Sequence, residues 1–282
     1  MVSLPAPHLI SQQVASALVE DIGGADWTAR LIPAERGGQA SVVVREPAVL
    51  CGTAWFDECF RQVDPRATVI WLAEEGESLS SGRTVCRIEG PARALLTAER
   101  SALNFLQTLS ATATLTRRYV EAVAGTRARI LDTRKTLPGF RLAQKYATRV
   151  GGGENQRIGL YDGILIKENH LMAVGGVSAA LQAAAELAPA GVSVQIEVET
   201  LEQLREALAA GAVSILLDNM SLEQMSEAVA ITAGRALLEA SGGVDLGSVR
   251  AIAETGVDRI SIGRLTKDIQ AIDFSMRFGF SN

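Results

Sequence analysis

The apolar positions of this chain change rhythm twice. Ile10, Val14, Ala15 and Leu18 recur at helical spacing, and the glycines of Asp21-Ile22-Gly23-Gly24 stop that pattern, so a first helix is predicted over 10–20. From Gln39 to Gly90 the apolar runs are short and β-like, at 40–44, 49–52, 68–72 and 84–88, with an amphipathic helical patch at 55–63 between them. Pro91 then opens a long helix in which Leu95, Leu96, Leu103, Leu106, Leu109 and Leu115 recur to about Ala124. After Thr126, runs rich in Ile, Val and Leu at 128–131, 163–166, 192–198, 213–217, 236–238 and 259–262 alternate with helical stretches. Strand then helix, repeated, predicts right-handed βα units around a parallel sheet.

The polar residues that follow these strands separate two parallel architectures. They are Thr133-Arg134-Lys135, Lys167-Glu168-Asn169-His170, Glu197 with Glu199, Asp218-Asn219, Ser241-Gly242-Gly243, and Ser261 with Gly263-Arg264. A doubly wound sheet gathers its site at one switch point, whereas a barrel draws single residues from the ends of many strands. Every strand contributes here, which selects the barrel. Six strands are countable against the usual eight, so either one is missed or the barrel is incomplete. The expected organisation is an N-terminal α+β sheet domain over 1–112, an α/β barrel over 113–267, and a Phe-rich tail over 268–282 that packs back on the first domain.

Composition narrows the setting. At 282 residues and 48% hydrophobic content the chain supports a sizeable core. The start MVSLPAPHLISQQ has no basic region followed by an apolar one, and no apolar run reaches the roughly 18 residues of a membrane helix, so a cytoplasmic protein without membrane contact is expected. Cys51, Cys59 and Cys86 form an odd, widely spaced set, read as reduced buried thiols. Charge is unevenly placed. Seven cations against two acids lie between Arg134 and Lys167 in a chain of net charge −5. Such a segment suits a pocket for a small polyanion better than a nucleic acid, which needs a broad basic face.

Within that segment, a guanidinium at Arg134 can fork onto a carboxylate and the ammonium of Lys135 can meet a phosphate; a solvated basic loop is the plain alternative. Gly151-Gly152-Gly153 either lets backbone approach an anion or forms a surface loop. Lys167 ends an apolar strand and needs an anionic partner, either a structural carboxylate or a substrate. Glu197 and Asp218 close neighbouring strands, a pairing that commonly holds Mg²⁺, with salt bridges to the cations as the alternative. Ser241-Gly242-Gly243 and Ser261-Ile262-Gly263 fit the phosphate site that barrels build from their final loops. With His8 and His170 the only histidines, acid/base work by histidine is not expected.

These motifs together resemble the quinolinate phosphoribosyltransferase family. The matching pieces are EDIGGAD (20–26), GPARALLTAERSALNFLQTLS (90–110), LDTRKTLPGFRLAQKYA (131–147), GGGENQR (151–157), LIKENH (165–170), the IEVE and LLDN strand ends, EASGGV (239–244) and SIGRLTK (261–267). The resemblance implies an open-faced sheet domain with an incomplete, seven-stranded α/β barrel. It implies conversion of quinolinate and phosphoribosyl pyrophosphate, with Mg²⁺, to nicotinate mononucleotide, CO₂ and pyrophosphate in NAD biosynthesis. By motif, Arg134 and Arg157 match the quinolinate clamps, Lys167 lies close to both substrates, and Lys135 is on the phosphoribosyl side. Thr133 and Gln156 fall among the substrate-binding positions, Glu197 and Asp218 near ribose and metal, and Ser241, Gly242, Gly243, Ser261 and Gly263 in the phosphate loops. Lys135, Lys167, Glu197 and Asp218 are the implied catalytic set. Arg100 matches an arginine supplied by the neighbouring protomer, which implies a homodimer with shared sites. The family usually has His before the arginine of its GGGxNHR motif, and this chain has Gln156.

Three other readings remain at this point. A paralogue encoded with molybdate transport genes shares the fold, but the intact TRKTLPG and LIKENH segments argue against it. Lys167 at a barrel strand end also suits a Schiff-base aldolase. An anion-binding regulator would keep the pocket without turnover, though it would not need the carboxylate pair.

Overall fold

The computed structural model describes residues 4–280. Residues 1–3 and 281–282, the outer ends of the expected N-terminal domain and tail, lie outside the described residues. Two units divide the chain: the first takes residues up to Arg117, Leu137–Gly152 and the segment from Asp268; the second takes Arg118–Thr136 and Gly153–Lys267. In chain order the first unit has α1 (Pro7–Ile22), β1 (Gly37–Val44), β2 (Ala48–Val49), α2 (Thr53–Val63), β3 (Thr68–Trp71), β4 (Ser78–Leu79), β5 (Thr84–Pro91) and most of α3 (Ala92–Ala122). After β6 (Arg129–Leu131) of the second unit comes α4 (Arg141–Val150) of the first. The second unit continues with β7 (Gly163–Ile166), α5 (Glu168–Val174), α6 (Val177–Leu187), β8 (Ser193–Val198), α7 (Leu201–Ala209), β9 (Ser214–Asp218) and α8 (Leu222–Thr232). It ends in β10 (Leu237–Ser241), α9 (Val249–Glu254), β11 (Arg259–Ser261) and α10 (Arg264–Lys267), and β12 (Phe274–Phe280) returns to the first unit.

In the first unit an antiparallel sheet runs β12-β1-β5-β3, with Val42 opposite Met276 on one side and Cys86 on the other. Gly38, Ala40 and Val42 are buried while Gln39 is exposed, the alternation of a sheet with one covered face. Trp55, Phe56 and Phe60 of α2 fill the core with Ile88, Leu103 and Leu106, at roughly 2–3 kcal/mol for each large side chain removed from water. All three cysteines are buried free thiols, and burial pushes Cys59 up to about 12. The N-terminus of α2 is capped by Glu75, whose carboxylate accepts from the backbone N–H of Gly52 at 2.9 Å and of Thr53 at 3.2 Å. On α3, Ser110 accepts from Cys51 N and donates to Cys51 O, and Thr114 accepts from Val49 N, so helix hydroxyls satisfy buried backbone at and just after β2.

The domain boundaries differ from the sequence expectation at two places. The first unit extends to Arg117, within α3, and it takes α4, which falls inside the 113–267 range expected for the barrel. The cause is apolar: Ala143, Tyr146, Ala147 and Val150 of α4 belong to the same cluster as Trp55 and Leu106. Gly151, just after α4, is required by space, since a Cβ there would lie 2.5 Å from Ala113 O and 2.6 Å from Thr116 Cβ.

The second unit is the expected parallel sheet, in the order β6-β11-β10-β9-β8-β7. Its first strand pairs with its last, through Ile130 opposite Ile260, so the sheet curls toward closure without β6 meeting β7. A seventh position survives as one bridge, Leu131 with Glu154, on the free edge of β6. Thr200 and Ser221 start α7 and α8 with reciprocal caps to Gln203 and Gln224, which ends β8 and β9 sharply. No helix among the described residues is long and apolar enough to cross a membrane.

Candidate active site

The C-terminal strand ends of the second unit surround a pocket of about 560 Å³. Thr133, Arg134 and Lys135 reach it from the end of β6, Gln156 and Arg157 from the loop after the Glu154 bridge, and Lys167 from the end of β7. Glu197 comes from β8, Asp218 from β9, Ser241, Gly242 and Gly243 from β10 and its loop, and Ser261 with Gly263 from β11 and its loop. Arg100 is the one predicted site residue outside this unit; it is exposed on α3. Gly151, Gly152 and Gly153 do not line the pocket. The first two instead terminate α4, with Gly152 at φ 95°.

Local bonding explains how the loops hold their charges. Asp132, fully buried, accepts from Asn155 Nδ2 at 2.6 Å and from the backbone N–H of Gln156 at 3.0 Å, which ties the two cationic motifs together. Arg157 donates from Nη1 to Gly163 O at 3.1 Å. Burial, and then the adjacent Arg134 guanidinium, pull the pKa of Arg157 down, with Asp162 opposing. Two guanidinia in one partly desolvated place are a strong site for a dianion.

Lys167 Nζ lies 3.1 Å from Glu197 Oε2. Burial raises the pKa of Glu197, Lys167 opposes that shift, and Asp218 and Glu168 add to it. Asp218 accepts from Asn219 Nδ2 at 2.8 Å. Asn219 adopts φ 53° and its N–H is held by Ser241 O at 3.0 Å; a Cβ on Gly242, itself at φ 106°, would sit 2.1 Å from Asn219 Oδ1. Only glycine fits at 242. Gly263 makes room in the same way for Lys135, whose Cδ lies 3.0 Å from the Cβ position, while Thr266 Oγ1 donates to Lys135 O at 2.8 Å. Neither histidine lines the pocket, and His170 Nδ1 accepts from Lys167 N at 2.9 Å, a cap for α5.

Several lining residues were not among the candidate site residues, although Asn219 and Arg264 stand in the strand-end motifs. Arg264 and Lys267 of α10 add cations beside the glycine loops, and Asn219 and Glu239 add polar atoms. A polar residue inside an apolar strand run, as in LLEAS, was the available signal for Glu239. Gln195, in VQIEV, is buried beneath the pocket and bonded to Glu239 Oε2 at 2.9 Å.

Comparison with known proteins agrees over the whole chain. Models of the quinolinate phosphoribosyl transferase N-terminal and C-terminal domains match residues 26–110 and 112–277. The nicotinate-nucleotide pyrophosphorylase (carboxylating) of Mycobacterium leprae is 43% identical, covering 93% of this chain and 95% of its own. A probable nicotinate-nucleotide pyrophosphorylase (carboxylating) of Bacillus subtilis is 41% identical, over 94% of this chain and 91% of its own. The solved nicotinate-nucleotide pyrophosphorylase of Francisella tularensis superposes with a TM-score of 0.95 at 42% identity, over 99% of this chain and 98% of that one. With both domains matched and the strand-end residues gathered in one pocket, the chain belongs to the quinolinate phosphoribosyltransferase family.

Proposed function

We propose that this chain is a decarboxylating quinolinate phosphoribosyltransferase, which joins phosphoribosyl pyrophosphate and quinolinate and releases CO₂, pyrophosphate and nicotinate mononucleotide for NAD biosynthesis. The observation that carries this reading is the division of the pocket into a guanidinium end, Arg134 with Arg157, and a carboxylate end, Glu197 with Asp218, bridged by Lys167. A pyridine dicarboxylate suits the first end and a ribose the second, with the glycine loops at Gly242-Gly243 and Gly263 taking phosphate.

The chemistry needs no protein nucleophile. The ribose C1–O bond breaks with its electron pair leaving on pyrophosphate, and the quinolinate nitrogen lone pair forms the new C1–N bond. Arg134 and Arg157 hold the ring so that this nitrogen faces C1, which converts an encounter into an aligned displacement. Lys167 and Lys135 stabilise the departing negative charge, and Glu197 stabilises the positive ribose centre. The bond from the adjacent ring carbon to its carboxylate then breaks, CO₂ leaves, and the electron pair stays on that carbon, stabilised by the neighbouring cationic ring nitrogen, until a proton takes the place of CO₂.

Mg²⁺ is part of this reading. Among the described residues no cluster of three or more His, Cys, Asp or Glu is arranged for a metal, so the protein offers at most the Glu197 and Asp218 pair. That donor set fits Mg²⁺, which keeps waters and takes substrate phosphates for its other positions. When bound it supplies charge neutralisation to the diphosphate. Removal of divalent cations by chelation is expected to stop turnover and Mg²⁺ to restore it. The exposed Arg100 serves a neighbouring protomer's pocket in a homodimer. Mixing inactive Arg100→Ala and Lys167→Ala proteins should then restore part of the activity, whereas unshared sites would give none.

The deciding experiment is a coupled assay of purified protein with quinolinate, phosphoribosyl pyrophosphate and Mg²⁺, following quinolinate absorbance and pyrophosphate release, with nicotinate in parallel. Consumption of quinolinate alone supports the reading; inert quinolinate overturns it.

A further inference from the structure

Beneath the pocket runs a chain of side-chain hydrogen bonds that the proposed roles do not use. Gln156 Nε2 donates to Gln195 Oε1 at 2.9 Å, and Gln195 Nε2 donates to Glu239 Oε2 at 2.9 Å. Gln195 is 7% exposed and Glu239 1%, and Glu239 Oε1 is buried with no other donor among the described residues. They sit on β8 and β10, whose other buried positions are Ile196, Val198, Leu238 and Ala240, besides the pocket's own Glu197. A buried polar atom left unmade costs about 1–3 kcal/mol, so apolar side chains would serve packing alone better.

The chain has a fixed direction, and chemistry sets it. A carboxylate offers only acceptors, so Gln195 must turn its NH₂ group to Glu239 and its carbonyl away. That carbonyl accepts, so Gln156 must present its NH₂ group in turn. Each amide has two possible orientations, and the group behind it selects one. The backbone N–H of Gln156 is already held by Asp132 Oδ1 at 3.0 Å, so both ends of the residue are fixed beside Arg157.

We infer that Gln195 and Glu239 are positioning residues: they hold the Gln156 amide in one orientation at the guanidinium end of the pocket and thereby set affinity for quinolinate rather than the rate of the chemical step. This rests on reading the pocket as a quinolinate site. Gln156 stands uncharged where the family usually has an ionisable ring, and the carboxylate two residues removed along the chain of bonds favours one orientation of its amide.

Glu239→Gln is the informative variant, because it keeps size and lets every amide in the chain turn either way. It is expected to raise KM for quinolinate about 3–10-fold, the worth of one misplaced hydrogen bond, with KM for phosphoribosyl pyrophosphate and kcat within about twofold. In a Gln156→Ala background the same change should add nothing, since no amide remains to be oriented. An equal increase in that background, or a fall in kcat without a change in KM, would overturn the inference in favour of packing or direct contact. The orientation is also read without substrate. The side-chain NH₂ signals of Gln156, identified by their loss in Gln156→Ala, are expected to shift and lose exchange protection in Glu239→Gln. Unmoved signals sink the chain of bonds itself, whereas an inert wild type toward quinolinate sinks the functional reading.

Discussion

Both units bury polar side chains, but they use them differently. In the first unit the buried hydroxyls of Ser110 and Thr114 bond to backbone at Cys51 and Val49 and complete secondary structure. In the second, buried Gln195, Glu197 and Glu239 bond to other side chains around a pocket. A buried polar group whose partner is backbone reports on the fold. One whose partner is a side chain lining a cavity reports on a ligand, because only a ligand explains keeping charge where apolar packing would do.

That contrast predicts a graded series of substitutions. Lys167→Ala, at the centre of the pocket, is expected to abolish turnover, by at least about a thousandfold, with circular dichroism and melting temperature near those of the wild type. Arg157→Ala removes a charge-assisted contact and should raise KM for quinolinate about 10–100-fold, with a smaller effect on kcat in the same assay. Ser110→Ala lies on the other side of the comparison. It leaves the Cys51 backbone unsatisfied, so it is expected to cost about 1–3 kcal/mol of stability, read as a lower midpoint in denaturant, while kinetic constants stay put. Loss of activity in Ser110→Ala at temperatures where it remains folded would break the distinction.

Much of this was legible in the chain. The six Ile-, Val- and Leu-rich runs of the second half coincide with β6 to β11, and the thirteen predicted site residues of that half line one pocket, because parallel strands must deliver their C-terminal ends to the same side. The helix after β6 was misplaced for a physical reason. Periodicity reports that α4 has apolar positions, not which core they join, and Tyr146 joins Trp55, with ring centroids 5.7 Å apart. Gln195 and Glu239 escaped because strand ends drew the reading, while their interior position depends on which face of a sheet each residue takes. Neither reading offered for the glycine triplet held for its first member: Gly151 is glycine for want of space against α3.

The pairing of β12 with β1 has a bearing on how the protein is made. During synthesis β1 emerges early, and its outer edge has no partner until all of the barrel segment has been translated, at ~5–20 residues per second. For that interval the nascent first unit carries an open strand of Val42, Val43 and Val44, the kind of edge that recruits foreign strands. Closing that edge thus waits on synthesis of a different part of the molecule.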